Sequence, residues 1–421
     1  MAMSGRALIV FGTALAVAVG CADKKEAKPR TQPKRQKPKR NPQASPDAHI
    51  VAKARPKPAA KPKPVAKPKP SRTWKPGTLL LTLTGHKESV YTVQWDRAGK
   101  RLLSASVDDT AVLWDATTGK QQVVFKGHTG SVTMAWFSAD EARVLTASDD
   151  DTARLWDAKT GKTIAVLKGD AADVRCARFN HDGSRVVTTS HKTARIWNGV
   201  TGKLVHTMEG HRSTVHNARF SPDGRHVVTV SHDKSARVWN TATGAEVVAL
   251  VDRASSLSPL AISRNGTWVA TSGRQDSPVY VWQLATGKVE AKLQTRRSST
   301  ALAFSPDGTK LASGIRERVV EEKAFRSHSD AMLWDLKSKK HIVLKGHAAY
   351  VRTAEFSADG QLLATAGNDH TLKLWRVSDG KLLYTLNGHK DWIPMLSFSP
   401  DGKHIATAGA DKTIKIWSIP H

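Results

Sequence analysis

The hexapeptide TAVLWD, residues 110–115, returns as TARLWD at 152–157, TARIWN at 193–198 and SARVWN at 235–240. Looser versions follow: VYVWQL at 279–284, AMLWDL at 331–336, TLKLWR at 371–376 and TIKIWS at 413–418. Each copy carries one tryptophan: Trp114, Trp156, Trp197, Trp239, Trp282, Trp334, Trp375 and Trp417. They are spaced by 42, 41, 42, 43, 52, 41 and 42 residues. Self-similarity at a period of this length marks a chain built from repeated supersecondary units.

Working outward, each copy holds short alternating segments such as SVYTVQW, KRLLSAS and QQVVFK, the period-2 pattern of half-buried strands. Turn chemistry separates them: SPDG at 221–224, 305–308 and 399–402, SADG at 357–360 and NHDG at 180–183. In such turns Asp bonds nearby backbone and Gly accepts a positive φ. Gly-His stands upstream of most copies, at 85–86, 127–128, 210–211, 346–347 and 388–389. Over residues 77–421 the chain resembles the WD-repeat family. That resemblance implies an all-β fold, an eight-bladed β-propeller of four strands per blade. One core of this size would exceed the usual ~250–300 residue limit, a problem that packing blade against blade avoids. The last copy stops at His421 with no room for a fourth strand. The segment 78–83, TLLLTL, has strand character and is expected to supply it, closing the ring.

The family resemblance also implies a hydrogen-bond relay within a blade, from Trp indole to Ser/Thr hydroxyl to the Gly-His imidazole to a turn Asp. Five copies carry the set: His86/Ser104/Asp108/Trp114, His128/Thr146/Asp150/Trp156, His211/Thr229/Asp233/Trp239, His347/Thr365/Asp369/Trp375 and His389/Thr407/Asp411/Trp417. Because the set recurs once per copy, a catalytic Ser/His/Asp role and a shared metal site are both set aside. No nucleophile, metal cluster or phosphate loop is evident, so the chain reads as non-enzymatic and without cofactor or metal. Copy 3 departs, with Asp170 at the His position and His191 near the Asp position, a candidate reciprocal swap. Copy 5 has Val251-Asp252 for Gly-His and keeps Asp276. Copy 6 has Gln294-Thr295, and IRERVVEEKAFRSH at 315–328 lengthens its connection between second and third strands. Loop extensions on a rigid scaffold often carry function; a tolerated excursion is the alternative.

In this family the positions three and five residues after the His project at the mouth of the central channel. Here they include Tyr350 and Arg352, Trp392 and Pro394, and Ser89 and Tyr91, with Arg175, His216 and His232 nearby. Tyr, Trp and Arg are the types enriched at binding hot spots, so Tyr91, Arg175, His216, Tyr350, Arg352 and Trp392 form the expected partner-binding set. The partner is a protein or peptide of unknown identity, and the chain is expected to be a monomer.

The N-terminal region is a different polymer. The formal net charge is +28, and residues 22–76 carry 18 Lys/Arg against three acidic residues, with 12 of the chain's 19 prolines. Such a segment cannot bury enough surface to fold and favours extended polyproline II. Fully extended, it would reach on the order of 170 Å. It reads as a disordered Lys/Pro-rich linker, either a plain solvated spacer or a stalk lying against anionic headgroups or envelope polymer. Ahead of it, Arg6 and the apolar run 7–20 fit a secretory signal peptide and are too short to span a bilayer. The run ends Ala18-Val19-Gly20-Cys21, which resembles the lipobox of bacterial lipoproteins, although leucine is usual where Ala18 stands. That resemblance implies lipidation of Cys21 after removal of 1–20, leaving a linker over 21–76 and the propeller over 77–421. A plain signal peptide with an incidental cysteine is the alternative. Ala22 after the cysteine favours the outer membrane, facing the periplasm. The expected function is a lipid-anchored interaction scaffold of the bacterial envelope; the alternative is an intracellular scaffold whose basic tail binds nucleic acid or another polyanion. Two cysteines are too few for a disulfide framework, and Cys176, inside a strand, is expected to be a packing residue.

Overall fold

The computed structural model describes residues 75–169, 172–251, 257–273, 277–295, 298–316, 319–321, 324–326 and 330–419. The signal-like run, Cys21 and the linker up to residue 74 lie outside the described residues, as do Asp170, Asp252 and Asp276.

The repeated alternation becomes eight four-stranded antiparallel sheets. Blade 1 is Val90–Trp95, Arg101–Ser106, Ala111–Asp115 and Gln121–Phe125, and blades 2 to 7 repeat this meander. Blade 8 takes Met395–Phe398, His404–Ala408 and Ile414–Ser418 from the C-terminal end, and Leu79–Leu83 as its outer strand. The expected closure is therefore present. Leu83 pairs with Ile414 and Leu79 with Trp417. The Gly77 N–H donates to the Ser418 carbonyl at 2.9 Å, and the Ser418 N–H donates to the Thr78 carbonyl at 2.9 Å.

First strands meet first strands all the way round. Val90–Trp95 touches both Val132–Phe137 of blade 2 and Met395–Phe398 of blade 8, and each later pair of neighbours does the same. The first strands thus line a central channel, and the blades radiate outward. Apolar residues pack as eight separate wedges between neighbouring blades. The wedge joining blades 8 and 1, for example, holds Leu83, Val93, Leu102, Trp114, Ala406 and Ile416. Middle strands, enclosed on both faces, are almost wholly buried, as in Arg101–Ser106. Outer strands such as Gln121–Phe125 are largely exposed. This gradient is why the sequence motif is loudest at the third strand of each copy.

Seven of the eight inner strands carry a register shift near their start, as between Val90 and Thr92 or between Val351 and Thr353. A bulge leaves one residue out of the ladder and re-aims its side chain. In six blades those residues are Tyr91, Thr133, Arg175, His216, Thr300 and Arg352, the position five residues after the His where Gly-His is present. Blade 8 has Pro394 there, and its inner strand starts only at Met395. In blade 6, Lys310–Arg316 and Ala331–Asp335 are joined by the long connection expected from the sequence. That connection carries its own two-stranded hairpin, with Val319 opposite Arg326 and Glu321 opposite Ala324.

Candidate functional site

The relay is present in all five blades that carry its residues. In blade 2 the His128 Nδ1 lies 2.7 Å from Asp150, its Nε2 lies 2.7 Å from the Thr146 hydroxyl, and the Trp156 indole N–H donates to that hydroxyl at 2.8 Å. Blade 1 repeats this geometry through Ser104, blade 4 through Thr229, blade 7 through Thr365 and blade 8 through Thr407, with distances of 2.7–3.0 Å. The carboxylate only accepts, so the imidazole donates its Nδ1–H to it; in a neutral ring the bare Nε2 then accepts from the hydroxyl, whose oxygen in turn accepts from tryptophan. Every buried polar atom of the relay is matched, the condition under which such networks stabilise.

The relay hydroxyls are not part of any binding or reactive surface. Ser104, Thr229, Thr365 and Thr407 are fully enclosed, each with no exposed area, and Thr146 is nearly so. A substrate or partner cannot touch an oxygen that sits between an indole and an imidazole in the middle of a blade. Ser104, Thr229 and Thr365 therefore stand apart from the partner-binding candidates: they are framework residues, whereas Arg352, Trp392 and Tyr91 reach the surface.

Burial depresses the His128 and His211 pKa values, outweighing the adjoining carboxylates, so these imidazoles are neutral. Burial alone would raise Asp108. Hydrogen bonds from His86, Thr110 and the Lys87 backbone instead hold it well below the ordinary carboxylate value. Asp233 is held at about 2 in the same way, by Ser235, Arg212 N–H and His211 against its own burial. Glycine precedes the histidine because the loop folds back on the indole: a Cβ at Gly127 would lie 3.3 Å from the Trp156 ring, at φ +150°. Each set closes within its own blade, and the histidines are 5–8% exposed. The arrangement stiffens a loop and offers no shared reaction centre.

The departing blades keep half of the relay. Trp197, Trp282 and Trp334 donate to Thr188, Thr271 and Ser313 at 2.8, 2.9 and 3.0 Å. The expected Asp170–His191 swap has one partner, Asp170, outside the described residues. In blade 3 the turn between second and third strands is one residue shorter than in blade 2, with Ser190 opposite Thr193, so His191 sits at φ +48° in a two-residue turn. Cys176 is fully buried, with its thiol 3.4 Å from the Ala218 carbonyl, as a packing residue should be.

The expected partner-binding residues divide into two groups. Around the closure, Arg352 of blade 7 lays its guanidinium carbon 4.1 Å from the centroid of the Trp392 ring in blade 8. Trp392 in turn meets Tyr91 of blade 1, ring centroids 5.7 Å apart and tilted by 45°. The result is a continuous cation–aromatic–aromatic arc over three blades. Arg352 is exposed, whereas Trp392, Tyr91 and Tyr350 are half-buried. On the far side of the ring, Arg175 of blade 3 pairs with Asp173 at 2.7 Å. In blade 4, His216 packs against His232 with centroids 3.6 Å apart and ring planes tilted by 49°. These far-side residues do not join the arc.

Sequence reasoning missed Asn368, whose side-chain carbonyl accepts from the Arg352 Nε–H and fixes that guanidinium. It also missed the acidic sector beside Arg175. Burial, and then the negative charge of Asp173, raise the pKa of Asp149. A signal existed: Arg352–Asn368 and His216–His232 both span sixteen residues, the distance from the bulge to the turn after the second strand.

The model for the WD domain, G-beta repeat, matches residues 77–115, 119–157, 161–198, 202–240, 338–376 and 380–418, more than half of the chain. The chain belongs to the WD40 repeat family. Each matched unit begins with the outer strand of the preceding blade, which is why the first one starts at residue 77. The family model passes over 241–337, although blade 5 and the first three strands of blade 6 are built there. Human F-box-like/WD repeat-containing protein TBL1X is 46% identical over 57 residues, covering 13% of this chain and 10% of that protein. Apoptotic protease-activating factor 1 of Rattus norvegicus is 46% identical over 56 residues, covering 13% of this chain and 4% of that protein. The chain thus spans a tenth or less of these curated relatives. The crystal structure of the computationally designed Ika8 protein superposes with a TM-score of 0.70 at 25% identity, covering 81% of this chain and 99% of that one. WD40 propellers are in general non-enzymatic scaffolds that bind protein partners.

Proposed function

We propose that this WD40 propeller is a lipid-anchored, non-enzymatic scaffold of a bacterial envelope, and that it captures a protein or peptide at the channel mouth around Arg352, Trp392 and Tyr91. The observation that carries the capture site is the continuous Arg352–Trp392–Tyr91 arc itself. An arginine held over an indole by Asn368 loses little freedom on binding, and such pre-ordering lowers the cost of association. Blades 7, 8 and 1 meet around the pairing of Leu79–Leu83 with Ile414–Ser418, which ties the base of the arc together. Envelope anchoring rests on Cys21 at the end of the apolar run and on the basic, proline-rich linker behind it. On this reading the outer membrane, facing the periplasm, is the place of work, and the linker reaches anionic polymer on the way.

Affinity capture from envelope extract, comparing wild type with the double variant Arg352→Ala/Trp392→Ala, tests the site. Loss of the captured partner is expected, while equal recovery by both proteins would sink the proposal. Fatty-acid labelling of wild type against Cys21→Ser tests the anchor: label on wild type alone is expected. The 18 Lys/Arg of residues 22–76 favour a second reading, an intracellular scaffold with a polyanion-binding tail. An unlabelled protein that fractionates with the cytoplasm would select it.

A further inference from the structure

The first strands that line the channel carry, at one level, the residue just before each strand's last. At that level blade 3 has Arg178 and blade 4 has Arg219, opposite Val187 and Val228 in their ladders. These strands touch, so the two arginines occupy neighbouring, half-buried places on the channel wall. Each is charged against its surroundings. The nearness of Arg178 and then burial push Arg219 down to about 9, and burial depresses Arg178. Among the described residues neither arginine forms an ion pair, and the Nε–H of each is enclosed without a hydrogen-bond acceptor. The same is true of the Trp136 indole N–H in blade 2. The Arg178 guanidinium carbon lies 4.0 Å from the centroid of the Trp136 ring. Gln94, Arg97, Trp136 and Arg178 line a cavity of about 250 Å³ that reaches the loops on the face opposite Gly-His, at Ser138 and His181; its one carboxylate, Glu141, is paired with Arg101, and Arg219 stands on the neighbouring strand outside that lining. The carboxyl on this channel wall at the same level, Glu355, belongs to blade 7 on the far side, and burial keeps it protonated at neutral pH, so it does not neutralise the pair.

Two neighbouring cations whose Nε–H donors are unmatched are costly unless an anion answers them, and the Cys176 sulfur beside them offsets that only in part. Guanidinium forks match the paired oxygens of phosphate, and two of them suit two negative charges better than one. We propose that Arg178 and Arg219, beside Trp136 near the lower mouth of the channel, hold a small doubly charged oxyanion, inorganic phosphate or a phosphate monoester. The site is independent of the partner arc, which lies at the other mouth. The cavity beside Arg178 has the volume for a single phosphate group with a small substituent and none for a folded partner.

Equilibrium titration of the full chain with inorganic phosphate and with phenyl phosphate, at constant ionic strength in chloride, tests this. Wild type is expected to take up one saturable phosphate per chain, above the weak, non-saturating uptake by the basic linker. Binding of the ester as well identifies the pocket as open to monoesters; binding of the free anion alone assigns it to phosphate. Arg178→Gln/Arg219→Gln should lose the saturable phase and keep the linker's uptake. Arg219→Lys, which keeps the charge and loses the fork, should bind at least tenfold more weakly. Acetate should not compete at equal concentration. A wild type with no saturable phase overturns the proposal whether or not any variant folds. So does a double variant that retains that phase, or displacement by acetate as readily as by phosphate.

Discussion

Blades 8 and 1, at the closure of the ring, differ from blades 5 and 6 in one hydrogen-bonded link. All four have a tryptophan on the third strand that donates to a Ser/Thr on the second, and all four pack wedge cores. Of the four, blades 8 and 1 extend that bond through histidine to an aspartate in the turn. The tryptophan and the wedge therefore suffice to build a blade. The His–Asp half ties the loop entering a blade to the turn after its second strand, at the face where the Arg352–Trp392–Tyr91 arc sits. In blade 8 the tie is direct: Asp411 accepts from the His389 imidazole and from the Lys390 backbone N–H at 2.9 Å, and Trp392 follows two residues later.

The largest effect that tests this comparison comes from the shared element. Trp417→Ala in blade 8 and Trp282→Ala in blade 5 should each cost about 3–5 kcal/mol in denaturant unfolding, because each empties a wedge. A cost at Trp282 below half of that at Trp417 would show that blade 5 is not built on the same principle. The next effect separates the two kinds of blade. Thr407→Val removes the hydroxyl that joins Trp417 to His389 and strands both, at a cost of about 2–3 kcal/mol. Thr271→Val strands only the Trp282 N–H and should cost about 1 kcal/mol. Equal losses would mean that the imidazole link contributes nothing. His389→Ala goes further toward function: it should weaken partner capture at Trp392 as well as stability, whereas Thr271→Val should leave capture unchanged.

How far each feature was legible follows the same division. The tryptophan spacing, the turn chemistry and the outer-strand segment 78–83 gave the eight blades and the closure, because they are local in sequence and repeat. The three candidate residues Tyr91, Arg352 and Trp392 were readable as positions, but their stacking depends on ring closure and on bulges, which sequence periodicity does not carry. The shortened turn of blade 3 was visible in principle: Thr188 stands nine residues before Trp197, where Thr146 stands ten before Trp156. The channel was the least legible part. In VRCARF, VHNARF and VRTAEF the charged residues Arg178, Arg219 and Glu355 look like the solvent face of ordinary alternating strands. Closing the ring turns that face inward, and a residue that reads as exposed becomes the wall of a confined channel.

Glu355 shows what that confinement does, and it gives the smallest effect. Burial pushes its carboxyl up to about 8, only partly offset by the backbone N–H of Phe398 in the next blade. At this level the neighbouring blades present Ala303 and Ser397, neither of them a countercharge. Gln94 in blade 1 occupies the equivalent place and accepts the Phe137 N–H at 3.1 Å. A neutral amide therefore does the same structural job without titrating. In the unfolded chain a glutamate titrates near 4.5, so between about 4.5 and about 8 the native state binds a proton that the unfolded state has released. Stability from this group is thus complete below the lower value and is lost as pH rises through the upper one. Glu355→Gln should match wild type near pH 4.5 and exceed it at pH 8.5 by on the order of 1–2 kcal/mol, solvent in the channel reducing the full effect. The depressed imidazoles and aspartates of the relay act in the opposite sense, losing stability as pH falls, and they are common to both proteins. The difference between the two pH profiles therefore isolates the channel wall from the blades, and a variant whose advantage did not grow with pH would remove Glu355 from that wall.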